Sequence, residues 1–460
     1  MCFSEKIKML FGILSLKISY GSEKNKKLYK CHYLENEEEK DILIAYAAKK
    51  LAFEKAQQKF YVSFRKTNDG SRGILTEMIG VIDNVHNFYS FQVKQFGFHS
   101  LQNKWKMVRA PDEKAMDQKN YPTIYTIDPK GSLDLDDGFN VIMDKECQVN
   151  IYITNVPKFL EENHLWDVLS LRCSTVYLPD RIVNMLHQDM AEMWCSLREN
   201  HTRNCVVFTF HVQNGSILKI SVRQETVWIK KNFHYDTDEL LQSNVFQNLE
   251  KITNDINGKS LNSHEIIEFW MIQVNRWIAQ ELQRGIFRCT EQINHPFFEY
   301  RGVYVTENNM GTHHGMNGKR YVHATSPIRR LVDIVNLTFL QKQKQCYSFT
   351  EKAILFCEKV QHNLNEINTM TRDIKKLQMR CKWVDFAETH DGIVLEGTIM
   401  KKEIKDEHTF RYIVFFQKVG FIKDFISFEN FENGDYKFRI LYFPLSGTWK
   451  QKIKIEMVNG

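Results

Sequence analysis

Thr126-Ile127-Asp128-Pro129-Lys130-Gly131-Ser132-Leu133-Asp134-Leu135-Asp136-Asp137-Gly138 is the stretch on which the reading of this chain turns. Four aspartates fall within ten residues, on a loop between two predicted strands, Thr123–Ile127 and Phe139–Met143. Carboxylates this close repel one another unless cations neutralise them. Hard oxygen ligands on a short loop favour Mg²⁺ or Mn²⁺, and several carboxylates with open positions can hold two ions for phosphodiester chemistry. A calcium EF-hand is excluded by spacing, because counting from Asp134 puts Gly138 at position 5 and Lys145 at position 12. A solvated acidic turn remains the plain alternative on these residues alone.

A second stretch, Tyr321-Val322-His323-Ala324-Thr325-Ser326-Pro327-Ile328-Arg329-Arg330-Leu331-Val332-Asp333, carries the opposite charge. Ser326 followed by Pro327 reads as an N-cap and first helical residue, which places Arg329 and Arg330 in the first turn. Two arginines beside free N–H groups would form a pocket for phosphate. The structural alternative pairs Arg329 with Asp333 at i,i+4. Gly315–Arg320 has the wrong spacing for a P-loop, and His313-His314 finds no third ligand at motif spacing.

Outward from these stretches the chain divides in three. Residues 1–110 read as a small β-rich region: a helix over Asp41–Phe60, then strand-like runs at Phe60–Phe64, Ile74–Ile82 and Phe88–Phe98. A polar connector follows to Pro122. Residues 120–385 alternate strands (also Val149–Val156 and Cys205–Val212) with helices over Ile266–Leu282, Ile328–Leu340 and Glu351–Lys382. Residues 390–460 return to strands, including Tyr412–Phe416, Phe438–Phe443 and the alternating Lys452–Met457, and suggest an oligonucleotide-binding (OB) type barrel. The fold class expected is therefore α+β: a mixed sheet with surrounding helices at the centre, and small OB-type barrels on either side.

Composition is ordinary for a globular chain: 460 residues, 43% hydrophobic, 26% charged. It excludes a collagen, a coiled coil and a disordered tail. The formal charge of +6 is unevenly spread, +7 in residues 1–120, −5 in 121–340 and +4 in 341–460, a layout that suits a polyanion partner. No apolar run is long enough to span a membrane, and Met9–Leu16 lacks the features of a signal peptide. Ten scattered cysteines, without a CxxC pair, point to an intracellular reducing compartment, cytoplasmic by default, with an organellar or viral setting left open.

The two stretches, with four further blocks in order, resemble the RNB catalytic domain of the ribonuclease II and ribonuclease R family with its Dis3-like members. The family pattern T-I-D-P-x-x-x-x-D-x-D-D is Thr126–Asp137, with every aspartate in place. The strand after it is Asn150–Val156, the S-V-Y-L-P-D-R element is Ser174–Arg181, and C-S-L with a following arginine is Cys195–Leu197 and Arg203. The I-E-E-F-M-x-x-A-N helix is Ile267–Asn275, and H-x-T-S-P-I-R-R is His323–Arg330.

The resemblance implies a Mg²⁺-dependent hydrolytic 3′→5′ exoribonuclease that degrades single-stranded RNA to nucleoside 5′-monophosphates. By it, Asp128, Asp134, Asp136 and Asp137 would hold two Mg²⁺ ions (Mn²⁺ possible), and Arg329 would stabilise charge on the phosphate; Asp136, Asp137 and Arg329 are the catalytic candidates. Tyr177, Arg203, Glu268, Asn275, Thr325, Ser326 and Arg330 are the RNA-contact candidates. The flanking barrels would guide RNA, with no small-molecule cofactor, no membrane and a monomeric state expected. Asn155 stands where the family has aspartate, Tyr152 where it has histidine, and Asn368–Asp373 lacks a glutamate that many members carry. The competing expectation is a catalytically weak RNA-binding clamp or regulator.

Overall fold

The structure, a computed structural model, describes residues 9–35, 38–47, 58–98, 121–144, 146–293, 300–309, 311, 313–316, 318–406 and 408–458. The chain is mixed α/β and forms two compact units. One is built from the N- and C-terminal parts together with residues 177–182, the other from the centre up to Arg372. Among the described residues no helix is long and apolar enough to cross a membrane, and the nine described cysteines are free thiols.

In the first unit, β1 (Leu10–Glu23), β2 (Lys26–Glu35), β3 (Glu38–Tyr46), β4 (Lys59–Lys66) and β5 (Arg72–Val81) close into a barrel of order β1-β2-β3-β5-β4. The β3–β5 pair is parallel and the rest are antiparallel. The helix expected over Asp41–Phe60 is corrected. Over Asp41–Tyr46 the period is two, with Ile42 and Ile44 turned inward opposite Cys31 and Tyr29, so the segment completes β3. Residues 48–57 lie outside those described. The expected strand Phe88–Phe98 is instead helix α1 (Val85–Gln95). Asn84 caps it by accepting from Asn87 N–H, and Phe88, Tyr89, Phe91 and Gln92 bury one face, with Phe91 stacked on Tyr61 at 4.5 Å. The aromatic richness of that run mimics strand propensity; the cap decides against it.

The C-terminal strands belong to the same unit. In the numbering of the whole chain they are β15 (Val394–Asp406), β16 (Thr409–Phe416), β17 (Phe421–Ser427), β18 (Gly434–Tyr442) and β19 (Ile453–Met457), in sheet order β17-β16-β15-β18-β19. This is the strand order of the first barrel, left unclosed between its third and fifth strands. The Lys452 ammonium is fully buried and donates to the carbonyls of Ile82 (2.8 Å) and Pro444 (2.5 Å), joining this sheet to the end of β5. Burial lowers its pKa to about 8.

The second unit is built on a closed five-stranded barrel: β6 (Thr123–Asp128), β7 (Asp137–Met143), β8 (Cys147–Thr154), β11 (Thr202–Gln213) and β12 (Ser216–His234). The pairs are antiparallel except β12–β6, which closes the barrel in parallel and sets His234 beside Asp128. Between β8 and β11 lie α2 (Val156–Glu162), the short pair β9 (Val176–Tyr177) and β10 (Ile182–Val183), and a π-helical turn at Met190–Trp194. Helices α3 (Asp238–Leu241), α4 (Asn244–Asn257) and α5 (Ser263–Glu281) follow β12. A reciprocal Asn262/Glu265 capping box starts α5, and Trp270 packs edge-on to Phe210 of the barrel while donating to Thr253. A hairpin, β13 (Ile286–Gln292) with β14 (Tyr300–Thr306), precedes α6 (Leu331–Gln343).

The single helix expected over Glu351–Lys382 is two, α7 (Glu351–His362) and α8 (Leu364–Thr389), interrupted at Asn363. The helix expected from Ile328 begins at Leu331. Ser326 is therefore not its N-cap: Arg329 and Arg330 sit in a turn whose N–H groups donate back to the Ser326 carbonyl, and the N-cap is extended Arg330. The remaining N–H groups of that segment are taken as well, Ser326 by Asp333, Ile328 by Asp136 and Leu331 by the Cys173 carbonyl. The pocket of free helix-start N–H groups is thus absent from this segment. A last helical turn, α9 (Trp449–Lys452), leads into β19.

Candidate active site

Asp128 ends β6 and Asp137 begins β7, so the barrel holds both ends of the aspartate loop. A turn from Pro129 to Ser132 reverses it, with Gly131 at φ 86°, where a side chain would be strained. Ser196 then pins the loop from below: its hydroxyl donates to the Leu133 carbonyl (2.7 Å) and accepts from Leu135 N–H (3.1 Å). At Gly138 an added Cβ would lie 2.8 Å from the Tyr125 carbonyl oxygen, so glycine keeps β6 and β7 close beside the aspartates.

Asp136 is the buried hub, 2% exposed. Its two oxygens accept from Ile328 N–H (2.8 Å) and Arg329 Nε (3.1 Å). The two stretches, about two hundred positions apart, thus meet on one carboxylate. Burial pushes the Asp136 carboxyl up to about 8, against the pull of Arg329 and the Ile328 N–H. Burial likewise raises Asp128 to about 7, with the charges of Asp136 and Asp134 adding to it, and Asp137 to about 7, with Asp128 adding. The Asp128 Oδ2 atom is buried and has no hydrogen-bond partner. A cavity of about 340 Å³ opens between Asp128, the 129–135 loop, Arg198 and the end of β12 at Lys231–His234.

These observations test the loop for a divalent cation. A set of aspartates held against each other's charge, one with an orphaned buried oxygen, fits a hard cation in chemistry. Among the described residues, however, no three Asp, Glu, His or Cys side chains converge as a finished metal cage.

The other expected residues divide between exposed and structural places. Arg329 is 43% exposed and also donates to Ser326 Oγ (3.0 Å). Arg330, not Arg329, pairs with buried Asp333 (2.8 Å). Thr325 and Ser326 are buried, and Asn275, 2% exposed, holds the segment before Ser326: it donates to Thr325 and to the Tyr321 hydroxyl and accepts from Ala324 N–H (2.9 Å). Asn275 therefore positions the 321–325 segment, whereas Glu268 on the same helix is exposed. Tyr177 lies in the other compact unit, its N–H bonded to Gln378 Oε1 (3.0 Å). Arg203 corrects the expectation of an RNA contact: it is 9% exposed, and its guanidinium donates to the carbonyls of Ser196, Thr202 and Met193. It clamps the π-helical turn to the barrel. We expect Arg203→Ala to cost about 2 kcal/mol, since one buried and two part-buried carbonyl acceptors lose their donor, read as a lower urea midpoint.

The family departures acquire physical roles. Asn155 caps α2 and forms a reciprocal amide pair with Gln341 (2.8 and 3.1 Å), which an acceptor-only aspartate could not complete. Tyr152 is packed inside the barrel. Asn368 donates to the Tyr304 carbonyl and accepts from its N–H, securing β14.

Sequence reasoning missed Tyr235. It follows the β12 register position opposite Asp128, stacks on His264 at 3.8 Å, and has its hydroxyl pKa raised by burial and then by the charges of Asp137 and Asp128. Only the parallel β12–β6 pairing, not apparent in local sequence, brings it there.

Residues 116–257 match the RNB domain family. Exoribonuclease 2 of Psychromonas ingrahamii is 26% identical over 192 residues, 40% of this chain and 28% of that protein. Ribonuclease R of Chlamydia trachomatis is 22% identical over 306 residues, 46% of this chain and 44% of its own length, so the matched part spans less than half of either relative. Among solved structures, Mycoplasma genitalium RNase R in complex with double-stranded RNA superposes with a TM-score of 0.71 at 14% identity, over 100% of this chain and 97% of that one. Yeast Ssd1, a pseudonuclease, gives 0.63 at 14% identity over 96% and 68%. Residues 116–257 thus carry the RNB-domain match, and the fold is that of the RNase R structures. The chain is a distant homologue of the RNB-domain exoribonucleases, the ribonuclease II, ribonuclease R and Dis3-like group.

Proposed function

We propose that this protein is a divalent-metal-dependent 3′→5′ exoribonuclease that hydrolyses single-stranded RNA to nucleoside 5′-monophosphates. The observation that carries this reading is the complete four-aspartate loop with Arg329 seated on Asp136. Asp128, Asp134, Asp136 and Asp137 are the residues to hold two Mg²⁺ ions, with Mn²⁺ as a substitute. Such ions supply Lewis-acid stabilisation of the attacking and leaving oxygens.

The rest of the work falls to the chain. Asp136 fixes the Arg329 guanidinium stem by its Nε, while the half-exposed head remains able to meet a phosphate whose charge grows in the transition state. Ile328 N–H and Asp333 fix the turn that carries it. Exposed Glu268 and half-buried Tyr177 are the retained RNA-contact candidates, together with Arg330. RNA is the partner proposed, with no small-molecule cofactor and a monomeric state.

The test is a single-stranded RNA labelled at its 3′ end. Immediate release of labelled mononucleotide, dependent on Mg²⁺ and abolished by Asp137→Asn, is the expected result. Retention of RNA without cleavage, across Mg²⁺ and Mn²⁺ and a range of salt, would overturn it. A second reading, an RNA-binding clamp without turnover, is favoured by the fold shared with the pseudonuclease Ssd1 and by the lack of a glutamate in Asn368–Asp373. Tight RNA binding with no mononucleotide release would establish it.

A further inference from the structure

Arg288 on β13 lies outside every motif singled out above. Its guanidinium rests on the face of the Tyr304 ring, 4.6 Å from the centroid. On its other side is the bare backbone of Gly302, where an added Cβ would come within 2.1 Å of Arg288 Nη2. The hairpin therefore keeps a slot that only glycine leaves open. The residue is partly exposed, yet its Nη1 is buried and has no hydrogen-bond partner, and among the described residues no carboxylate is paired with it.

The described groups around Tyr304 are engaged with one another. The Tyr304 hydroxyl is engaged with His323 Nδ1 (2.8 Å), and His323 lies edge-on to both Tyr304 and Tyr321. Arg288 N–H donates to the Tyr321 carbonyl (2.8 Å), which ties β13 to the segment leading to the Ser326–Arg330 turn. On that turn Arg330 shares Asp333 but leaves its own buried Nε without an acceptor. Two arginines with unused buried donors thus flank the chain segment that delivers Arg329 to Asp136, and Asp333 is paired with Arg330 alone. An orphaned, flat, preorganised guanidinium is suited to a phosphate oxygen.

We propose that Arg288, laid on Tyr304 and backed by Gly302, binds a backbone phosphate of single-stranded RNA on the 5′ side of the linkage to be cleaved. This rests on the RNA-degrading reading above. Arg329 serves the reacting phosphate and Arg288 a linkage upstream of it, so Arg288 is a positioning residue that sets how the strand lies.

The experiment measures binding of the full chain to a single-stranded RNA in EDTA, where no hydrolysis occurs. A set of such RNAs carries one neutral methylphosphonate at each successive linkage from the 3′ end. Wild-type protein is expected to lose affinity at one linkage upstream of the terminal one. Arg288→Met, which keeps the packing and removes the donors, is expected to bind unmodified RNA five- to twentyfold more weakly, to be indifferent to that one methylphosphonate, and to show a salt slope shallower by about 0.7. Gly302→Ala, which keeps the charge but displaces the guanidinium, is expected to give the same loss of sensitivity and stands in if Arg288→Met fails to fold. An unchanged methylphosphonate profile and salt slope in both variants would overturn the proposal while leaving the RNA-degrading reading intact. Failure of the wild-type protein itself to bind RNA would overturn that reading and this inference together.

Discussion

Asp137→Asn is expected to slow RNA hydrolysis at least about a thousandfold, the scale on which removing a charge-stabilising group from a preorganised site acts, while RNA affinity in EDTA stays within a few fold. Asp137 opens β7, so the isosteric change removes one carboxylate charge from the proposed metal loop. Asp136→Asn should be as inactive for a second reason. Asp136 is the acceptor for both Ile328 N–H and Arg329 Nε, so the substitution also releases the arginine from its place. The two variants are distinguished by melting: Asp136→Asn is expected to lower the midpoint in EDTA, and Asp137→Asn is not. Full retention of mononucleotide release by Asp137→Asn would remove the metal loop from the chemistry.

The second large effect concerns stability against pH. Asp128, Asp136 and Asp137 have pKa values of about 7, 8 and 7 in the folded protein, against 3.8 for an ordinary aspartate. The folded state therefore binds more protons than the unfolded chain throughout that interval. Stability contributed by these groups is present below pH 4 and is lost as pH rises towards 8. After allowance for relaxation the loss is roughly 2–4 kcal/mol, several degrees in melting temperature. In EDTA the midpoint is expected to fall from pH 5 to pH 8. Mg²⁺ should restore it at pH 8, where the carboxylates are ionised, and do little at pH 5. Asp128→Asn should flatten the EDTA profile, since it removes the orphaned buried oxygen's charge. A midpoint that rises from pH 5 to pH 8 and ignores Mg²⁺ would contradict this account.

The site was legible where its chemistry is local. The aspartates fall within ten residues, and the Ser-Pro-Ile-Arg-Arg run announces itself by composition. What joins them is not local: Arg329 reaches Asp136 only because the turn sits ahead of α6, a placement hidden by the apparent Ser326 cap. Capping preferences are weak beside the bonds that Asp333, Asp136 and the Cys173 carbonyl make to this turn, and these decide it. Arg203 shows the opposite failure. A charged residue following a motif reads as a ligand contact, yet π-helical geometry left carbonyls that needed a donor. Glu268 and Asn275 share a helix face by spacing, but only one end of that face is covered, by residues 321–325. Tyr235 and Arg288 carried no local signal, since both depend on which strand lies beside which. The barrels fared unevenly: the alternating burial of β16 and the continuous apolar run of β4 are visible in sequence, whereas β3 read as helix and the aromatic helix α1 was disguised by residues that favour strands.

The buried Lys452 ammonium has a practical consequence for dissecting the molecule. One of its two carbonyl acceptors belongs to Ile82, some 370 positions earlier. A fragment beginning after residue 98 would keep the amine and lose that acceptor, leaving a buried amine with one of its two carbonyl partners. The C-terminal sheet should consequently express poorly by itself and recover when the N-terminal barrel is supplied as a separate polypeptide. For RNA-binding studies the two ends of the chain are best treated as one indivisible reagent.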